Sequence, residues 1–182
     1  LFIQLWGTGA WAKFASALIT FLWVGVPLAS LNLLHWGSLP SEPSFGPFRW
    51  DAPVLIALLP LWAGDSAAIF AGKAFGKHLM APSISPKKTW EGGIANFLAC
   101  VLTAYGVGAW IGLPLIHSLS IGVCTGILGQ VGDLTQSWLK RKVGVKDSGT
   151  ILPGHGGFLD RLDSLLFTAI PAVLITIHGL TR

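Results

Sequence analysis

The chain alternates between five long apolar segments and shorter polar ones. Each apolar segment has about 20 residues, which is the length that an α-helix needs to cross the hydrocarbon core of a bilayer. The first has no Asp, Glu, Lys or Arg between Phe14 and Trp36. We therefore predict one all-α domain over residues 1–182, a polytopic integral membrane helical bundle. Its five transmembrane helices are expected at about 14–36, 52–71, 92–112, 116–136 and 162–180.

The composition strengthens this prediction. Hydrophobic residues make up 52% of the chain, charged residues only 11%, and there are nine Trp. These values exclude an ordinary soluble domain. The sequence begins with Leu1 rather than Met, and no signal peptide precedes the first apolar segment. We expect the chain to be a fragment of a protein with further helices before it.

Positive charges are distributed unevenly between the two ends of the predicted helices. All of the twelve Lys and Arg except Arg49 and Arg182 lie at Lys13, in residues 72–91 or in residues 140–161. Membrane proteins keep loops rich in Lys and Arg in the cytoplasm. The loops 72–91 and 137–161 are therefore predicted to be cytoplasmic, on one face of the membrane, where together they can form an active site.

The fourth apolar segment carries a polar face. Gln130, Asp133 and Ser137 follow each other at helical spacing, with Lys140 or Arg141 one turn further on. A carboxylate at the bilayer centre costs about 2.5–3.5 kcal/mol, so Asp133 should face protein, water or a cation. It suits the floor of a cytoplasm-facing cavity. The alternative is a carboxylate that only packs helices together by pairing with Lys or Arg.

Two further carboxylates stand at the start of the last apolar segment. Asp160 and Asp163 are three residues apart and so lie on one helical face. Either could simply stabilise the helix N-terminus through the helix dipole. Mg²⁺, however, prefers one or two carboxylates together with phosphates and water. Asp133, Asp160 and Asp163 would supply such a site if the fourth and fifth helices are neighbours, and a second cation remains an open alternative.

Two loops contain groups suited to phosphate. Pro153 is followed by Gly154, His155, Gly156 and Gly157, whose backbone N–H groups can approach a phosphate closely. His155 could donate to a phosphate oxygen, bind a metal, transfer a proton or simply occupy a turn. The loop 72–91 has cations and hydroxyls suited to polyphosphate, although lysines beside a membrane often serve only as anchors to anionic lipid. The candidates there, with Asp65 before them, are Ser85, Lys87, Lys88, Thr89 and Glu91.

The stretch from Ser137 to Asp163 resembles the signature of the phosphatidate cytidylyltransferase (CDP-diacylglycerol synthase) family. Gly132-Asp133-Leu134 and the run from Ser85 to Gly92 are also similar to blocks of that family. Together the matches extend over about residues 62–163. Every specified position of the signature is present: Ser137, Lys140, Arg141, Lys146, Asp147, Pro153, His155, Gly156, Gly157, Asp160, Arg161 and Asp163.

The resemblance implies a Mg²⁺-dependent transferase of phospholipid biosynthesis that makes CDP-diacylglycerol and pyrophosphate from CTP and phosphatidic acid. It implies a bacterial inner membrane protein in contact with membrane lipids, with a second copy of the chain as a further candidate partner and no nucleic acid. Asp133 and Asp160 would be the principal metal ligands, with Asp163 beside them. Lys88 and Lys146 would join Asp133 and Asp160 as catalytic residues. Substrate would be bound by Asp65, Ser85, Lys87, Thr89, Glu91, Ser137, Lys140, Arg141, His155, Gly156, Gly157 and Arg161.

Other functions fit parts of the pattern. Polyprenol or dolichol kinases and archaeal CDP-archaeol synthases also use CTP at membranes, but the complete signature disfavours them. An ion-coupled transporter would also place carboxylates in membrane helices, yet it leaves the lysine- and glycine-rich loops unexplained. Whether the fragment alone is active stays open, because the helices expected before it could contribute to a lipid cavity.

Overall fold

The computed structural model describes residues 9–37, 52–145, 148 and 162–181. A π-helical turn, Phe21–Gly25, joins the first two helices into one continuous rod. Five helical stretches are long and apolar enough to cross a membrane. The prediction of an all-α bundle with five such helices is thus confirmed. The helices are α1 (Ala10–Thr20), α2 (Val26–Gly37), α3 (Ala52–Phe75), α4 (Trp90–Ile111), α5 (Leu115–Lys142) and α6 (Asp163–Leu180).

Helices that follow each other in the chain pack side by side. α3 packs against α4, α4 against α5, and α5 against α6, while α2 closes the group by contacting α6. The π-helical turn also reaches α6, where the ring of Trp23 meets that of Phe167 edge to face at 5.4 Å. Aliphatic side chains from all of these helices fill the core, including Leu34, Ile56, Ala104, Ile121 and Val173.

Two helix boundaries matter for the site. Thr89 begins α4 as its N-cap, since its Oγ1 accepts a hydrogen bond from Gly92 N at 3.2 Å. α5 continues to Lys142 instead of ending near 136, as expected from the apolar pattern. A helix does not have to end where the apolar residues end, and here the chain turns only at Gly144, which has φ +74°. The basic residues 140–142 therefore extend α5 as a polar last turn.

The predicted loop 72–91 contains ordered structure. α3 runs to Phe75, and two short antiparallel strands follow, β1 (Leu79–Ala81) and β2 (Ser85–Thr89). Leu79 faces Thr89 and Ala81 faces Ser85, with an irregularity of register between the two pairs. Pro82 and Pro86 are unusual in or beside a strand because proline cannot donate to a ladder. The sequence pattern consequently concealed this hairpin, which carries Lys87 and Lys88.

Candidate active site

The centre of the site is an ion pair between the hairpin and α5. Nζ of Lys88 contacts Oδ2 of Asp133, and Ser137 Oγ donates a hydrogen bond to Oδ1 of the same carboxylate at 3.3 Å. The Lys88 and Asp133 side chains are 27% and 34% exposed, so a molecule arriving from solvent can reach both. The one-turn spacing of Asp133 and Ser137 thus places them together as predicted. Asp133 thus also pairs with a lysine, which is the alternative role that the sequence left open for it.

Two glycines at the start of α4 allow the hairpin and two helices to meet here. A Cβ on Gly92 would lie 2.9 Å from the carbonyl oxygen of Ala68 on α3, so a side chain cannot be accommodated without a shift. The carbonyl of Gly93 accepts a hydrogen bond from Gln130 Nε2 on α5 at 3.1 Å. α3, α4 and α5 are thereby locked together next to the strand that ends at Thr89. This packing brings Lys88 over α5.

Asp65 joins the same group from α3. Its Oδ1 accepts a hydrogen bond from Nδ2 of the buried Asn96 at 3.3 Å. The thiol of Cys100, one turn along α4, lies 3.6 Å from the Asn96 Oδ1 and 3.2 Å from the carbonyl of Pro60. Asp65 also interacts electrostatically with Asp133 and Lys88. Sequence reasoning proposed Asp65 but missed Asn96, whose only signal was an amide within an apolar segment.

Asp163 enters the group from α6, of which it is the first residue. Its Oδ1 accepts a hydrogen bond from Ser164 N at 2.7 Å, and its charge interacts with those of Asp133, Lys140 and Lys88. Close helix packing explains this proximity, because a Cβ on Gly132 would lie 2.8 Å from the Asp163 carbonyl oxygen. α5 and α6 are therefore neighbours at Asp133, which is what the metal hypothesis required.

The described carboxylates have the chemistry that Mg²⁺ prefers, although they do not surround a complete metal site. Within residues 9–37, 52–145, 148 and 162–181 there is no cluster of three or more His, Cys, Asp or Glu side chains close enough to hold a metal. Mg²⁺ typically uses one or two carboxylates and takes its other ligands from phosphate and water. Asp133 and Asp163 fit that role. The third predicted ligand, Asp160, lies outside the described residues.

Several other predicted site residues have structural partners. Arg141 Nε donates to the carbonyl of Ile84 at the hairpin turn over 3.3 Å. Glu91 Oε1 lies 2.7 Å from His78 Nδ1, and Thr89 caps α4. Ser85 is half-buried and Lys87 is exposed on β2. Substrate roles for these residues remain predictions, as do those of the candidates that lie outside the described part of the chain: Lys146, His155, Gly156, Gly157, Asp160 and Arg161.

Comparison with known proteins decides the family. A model of the cytidylyltransferase family matches residues 3–178, which is nearly the whole chain. The chain belongs to the cytidylyltransferase family. The match includes every element that builds the site, from the hairpin to the first turn of α6. The resemblance in the sequence signature is thereby confirmed.

Curated relatives of this cytidylyltransferase family member are named as phosphatidate cytidylyltransferases. The protein from Bacillus subtilis (strain 168) is 47% identical over 116 residues, covering 63% of this chain and 43% of the relative. Phosphatidate cytidylyltransferase 5, chloroplastic, of Arabidopsis thaliana is 42% identical over 129 residues, 69% of this chain and 32% of the relative. The protein from Brucella suis is 35% identical over 171 residues, 84% and 63% respectively. The chain thus spans between about a third and somewhat under two thirds of these relatives' lengths.

Proposed function

We propose that this protein transfers the cytidylyl group of CTP to phosphatidic acid, giving CDP-diacylglycerol and pyrophosphate. The observation that carries the proposal is the convergence of Lys88 with Asp65, Asp133 and Asp163 at one end of the bundle. The names of the relatives supply the substrate class, and the apolar helices suit a lipid substrate.

The reaction needs charge stabilisation more than proton transfer. A phosphomonoester has a second pKa near 6 and is largely dianionic at neutral pH, so no strong base is needed to activate it. A phosphate oxygen of phosphatidic acid attacks the α-phosphorus of CTP and forms a new P–O bond. The bond between the α-phosphorus and the bridging oxygen breaks, and pyrophosphate leaves with its electrons. The obstacle is to bring two anions together and to stabilise the charge on the leaving group.

The chain's own residues are suited to that task. Lys88 offers a positive charge that the Asp133 carboxylate holds in place before substrate arrives. The Ser137 hydroxyl donates to the Asp133 carboxylate, and the negative charge of Asp65 attracts the Lys88 ammonium. In this proposal Lys87, Lys146 and Arg161 add positive charge for the phosphates, with Ser85 and Thr89 as hydrogen-bond partners. Preorganised charges of this kind stabilise a transition state without reorganising during the reaction.

Mg²⁺ is proposed as the cofactor, held by Asp133 and Asp163 together with Asp160. When bound, it would supply positive charge to the phosphates of CTP. The proposed location is a bacterial inner membrane. The positive charges at this end of the bundle support a site that faces the cytoplasm. A second copy of the chain is proposed as a partner.

The deciding experiment measures pyrophosphate release by the purified protein in detergent micelles containing phosphatidic acid. Turnover should require CTP, phosphatidic acid and Mg²⁺, and should be abolished in Asp133→Asn and Asp160→Asn. Lys142→Gln, which removes a charge outside the proposed site, serves as the matched control. Release of CDP instead of pyrophosphate, with a polyprenol in place of phosphatidic acid, would favour a kinase. Ion flux across vesicles without CTP would favour a transporter, and near-normal activity in either Asp variant would refute the metal assignment.

A further inference from the structure

The hairpin that carries Lys88 is too small to hold its position alone. Its strands have three and five residues, and their register is irregular. An isolated two-stranded hairpin is marginally stable at best in water. To be stable, it must pack against another element such as a helix. The position of the Lys88 ammonium therefore depends on what fastens the hairpin to the helices.

The base of the hairpin is fastened to α4. His78, the residue before β1, makes two contacts with Glu91 in the first turn of α4. Its Nδ1 lies 2.7 Å from Glu91 Oε1, and its backbone N–H donates to Oε2 at 3.3 Å. In addition, Trp90 N donates to the His78 carbonyl at 2.9 Å. The two chain ends of the hairpin are thus fixed to the start of one helix.

The tip of the hairpin is fastened to a different helix. Ile84, in the turn between the strands, presents its carbonyl to Nε of Arg141 at 3.3 Å. Arg141 stands in the last turn of α5, two turns after Asp133, and 57 residues separate it from Ile84 in the chain. Lys88 lies between the fastened base and the fastened tip, opposite Asp133.

We propose that Arg141 is a positioning residue that clasps the hairpin tip to α5 and so holds Lys88 over Asp133. A hydrogen bond from a charged donor contributes more than a neutral one. In an otherwise marginal hairpin, one such bond favours a single position of the tip over several. The role of Lys88 in binding phosphate rests on the proposed function, but the clasp itself does not.

Lys142 provides a matched control. It is adjacent to Arg141 and carries the same charge on the same helical turn, but its Nζ lies 4.9 Å from the centroid of the Trp138 ring. Lys142→Gln and Arg141→Gln therefore remove equal charge from one end of α5. Only the second variant removes the contact with Ile84. A difference between them isolates the clasp from a general electrostatic effect.

The test follows the mobility of the hairpin without any substrate. A nitroxide label is attached at Ser83→Cys, an exposed position in the turn, in a Cys124→Ala background in which the remaining Cys100 is buried. In Arg141→Gln we expect the mobile component of the spectrum to rise about threefold relative to the parent, because one solvent-exposed hydrogen bond is lost. Lys142→Gln should leave the spectrum unchanged. An unchanged spectrum in Arg141→Gln, or an equal rise in both variants, overturns the proposal.

Kinetics then separate positioning from direct binding of phosphate. A clasp predicts that Arg141→Gln lowers kcat while the KM for CTP changes little, because the displaced group is Lys88 at the reacting phosphates. A raised KM for CTP with an unchanged spectrum would instead identify Arg141 as a phosphate ligand and overturn the clasp. If the parent protein shows no turnover, the proposed function fails, yet the spectra still decide whether Arg141 holds the hairpin.

Discussion

Asn96 on α4 donates a hydrogen bond from Nδ2 to Oδ1 of Asp65 on α3, over 3.3 Å. Asn96 is only 7% exposed, while Asp65 is exposed at the site. The buried amide therefore anchors a carboxylate that interacts electrostatically with Lys88 and Asp133. Asn96, for which no substrate role is predicted, thus orients Asp65, for which one is predicted.

Replacing Asn96 by Leu should damage both stability and turnover. The variant removes the donor to Asp65 and the acceptor for Cys100 while keeping a similar volume. Loss of this hydrogen bond should lower the free energy of unfolding by about 1–3 kcal/mol, measured by thermal denaturation in detergent. Thr135→Val, which loses only a bond of 2.7 Å to the Val131 carbonyl within α5, is the control. Full turnover in Asn96→Leu would contradict the anchoring role.

Exchanging the charges of Lys88 and Asp133 should separate folding from chemistry. Each single reversal puts two like charges beside each other, so Lys88→Asp and Asp133→Lys should both reduce the yield of folded protein. The double variant restores an ion pair, and a partly exposed pair contributes about 0–1 kcal/mol, so its thermal midpoint should return close to that of the parent. Its turnover should remain absent, because the carboxylate and the ammonium have changed places. Recovery of turnover would show that the pair is purely structural.

A methyl group at position 132 should disturb the approach of α6 to α5. In Gly132→Ala the new Cβ would meet the Asp163 carbonyl oxygen and the Phe167 ring, both at 2.8 Å. Overpacking of this kind costs about 1–3 kcal/mol, and turnover should fall further because Asp163 moves. Gly106→Ala on α4 is the matched control, since no atom lies within 4 Å of its new Cβ. That variant should be neutral or more stable, because alanine favours a helix by about 1 kcal/mol over glycine.

Asp163→Asn should alter the demand for Mg²⁺ rather than simply remove activity. If Asp163 helps to hold the ion, loss of one carboxylate charge should raise the Mg²⁺ concentration for half-maximal turnover about tenfold or more, the usual range for disturbing a metal's supporting groups. A Mg²⁺ titration of pyrophosphate release measures this. Chelation with EDTA should stop the parent enzyme, and added Mg²⁺ should restore it. An unchanged half-maximal concentration would assign Asp163 only to the helix terminus.

Helical periodicity was enough to predict contacts between residues of the same helix. It placed Asp133 and Ser137 on one face because an interval of four residues is close to one turn. It could not identify Lys88 as the partner of Asp133, or Asn96 as that of Asp65, because these contacts depend on how separate elements pack. The hairpin was missed for a different reason, since β2 contains Pro86 and neither short strand has the alternating pattern by which strands are recognised.

Close packing of the helices at glycines affects how this protein would respond to random substitution. A Cβ added at Gly92 or Gly132 would lie 2.9 or 2.8 Å from a backbone carbonyl oxygen, so a substitution at either position must shift a neighbouring helix. In a saturation-mutagenesis map these positions would be as intolerant as Lys88 and Asp133, although they have no functional group to lose. A ranking of residues by intolerance alone would therefore place these two glycines among the catalytic residues. Comparing the yield of folded protein with turnover at each position would separate the two groups.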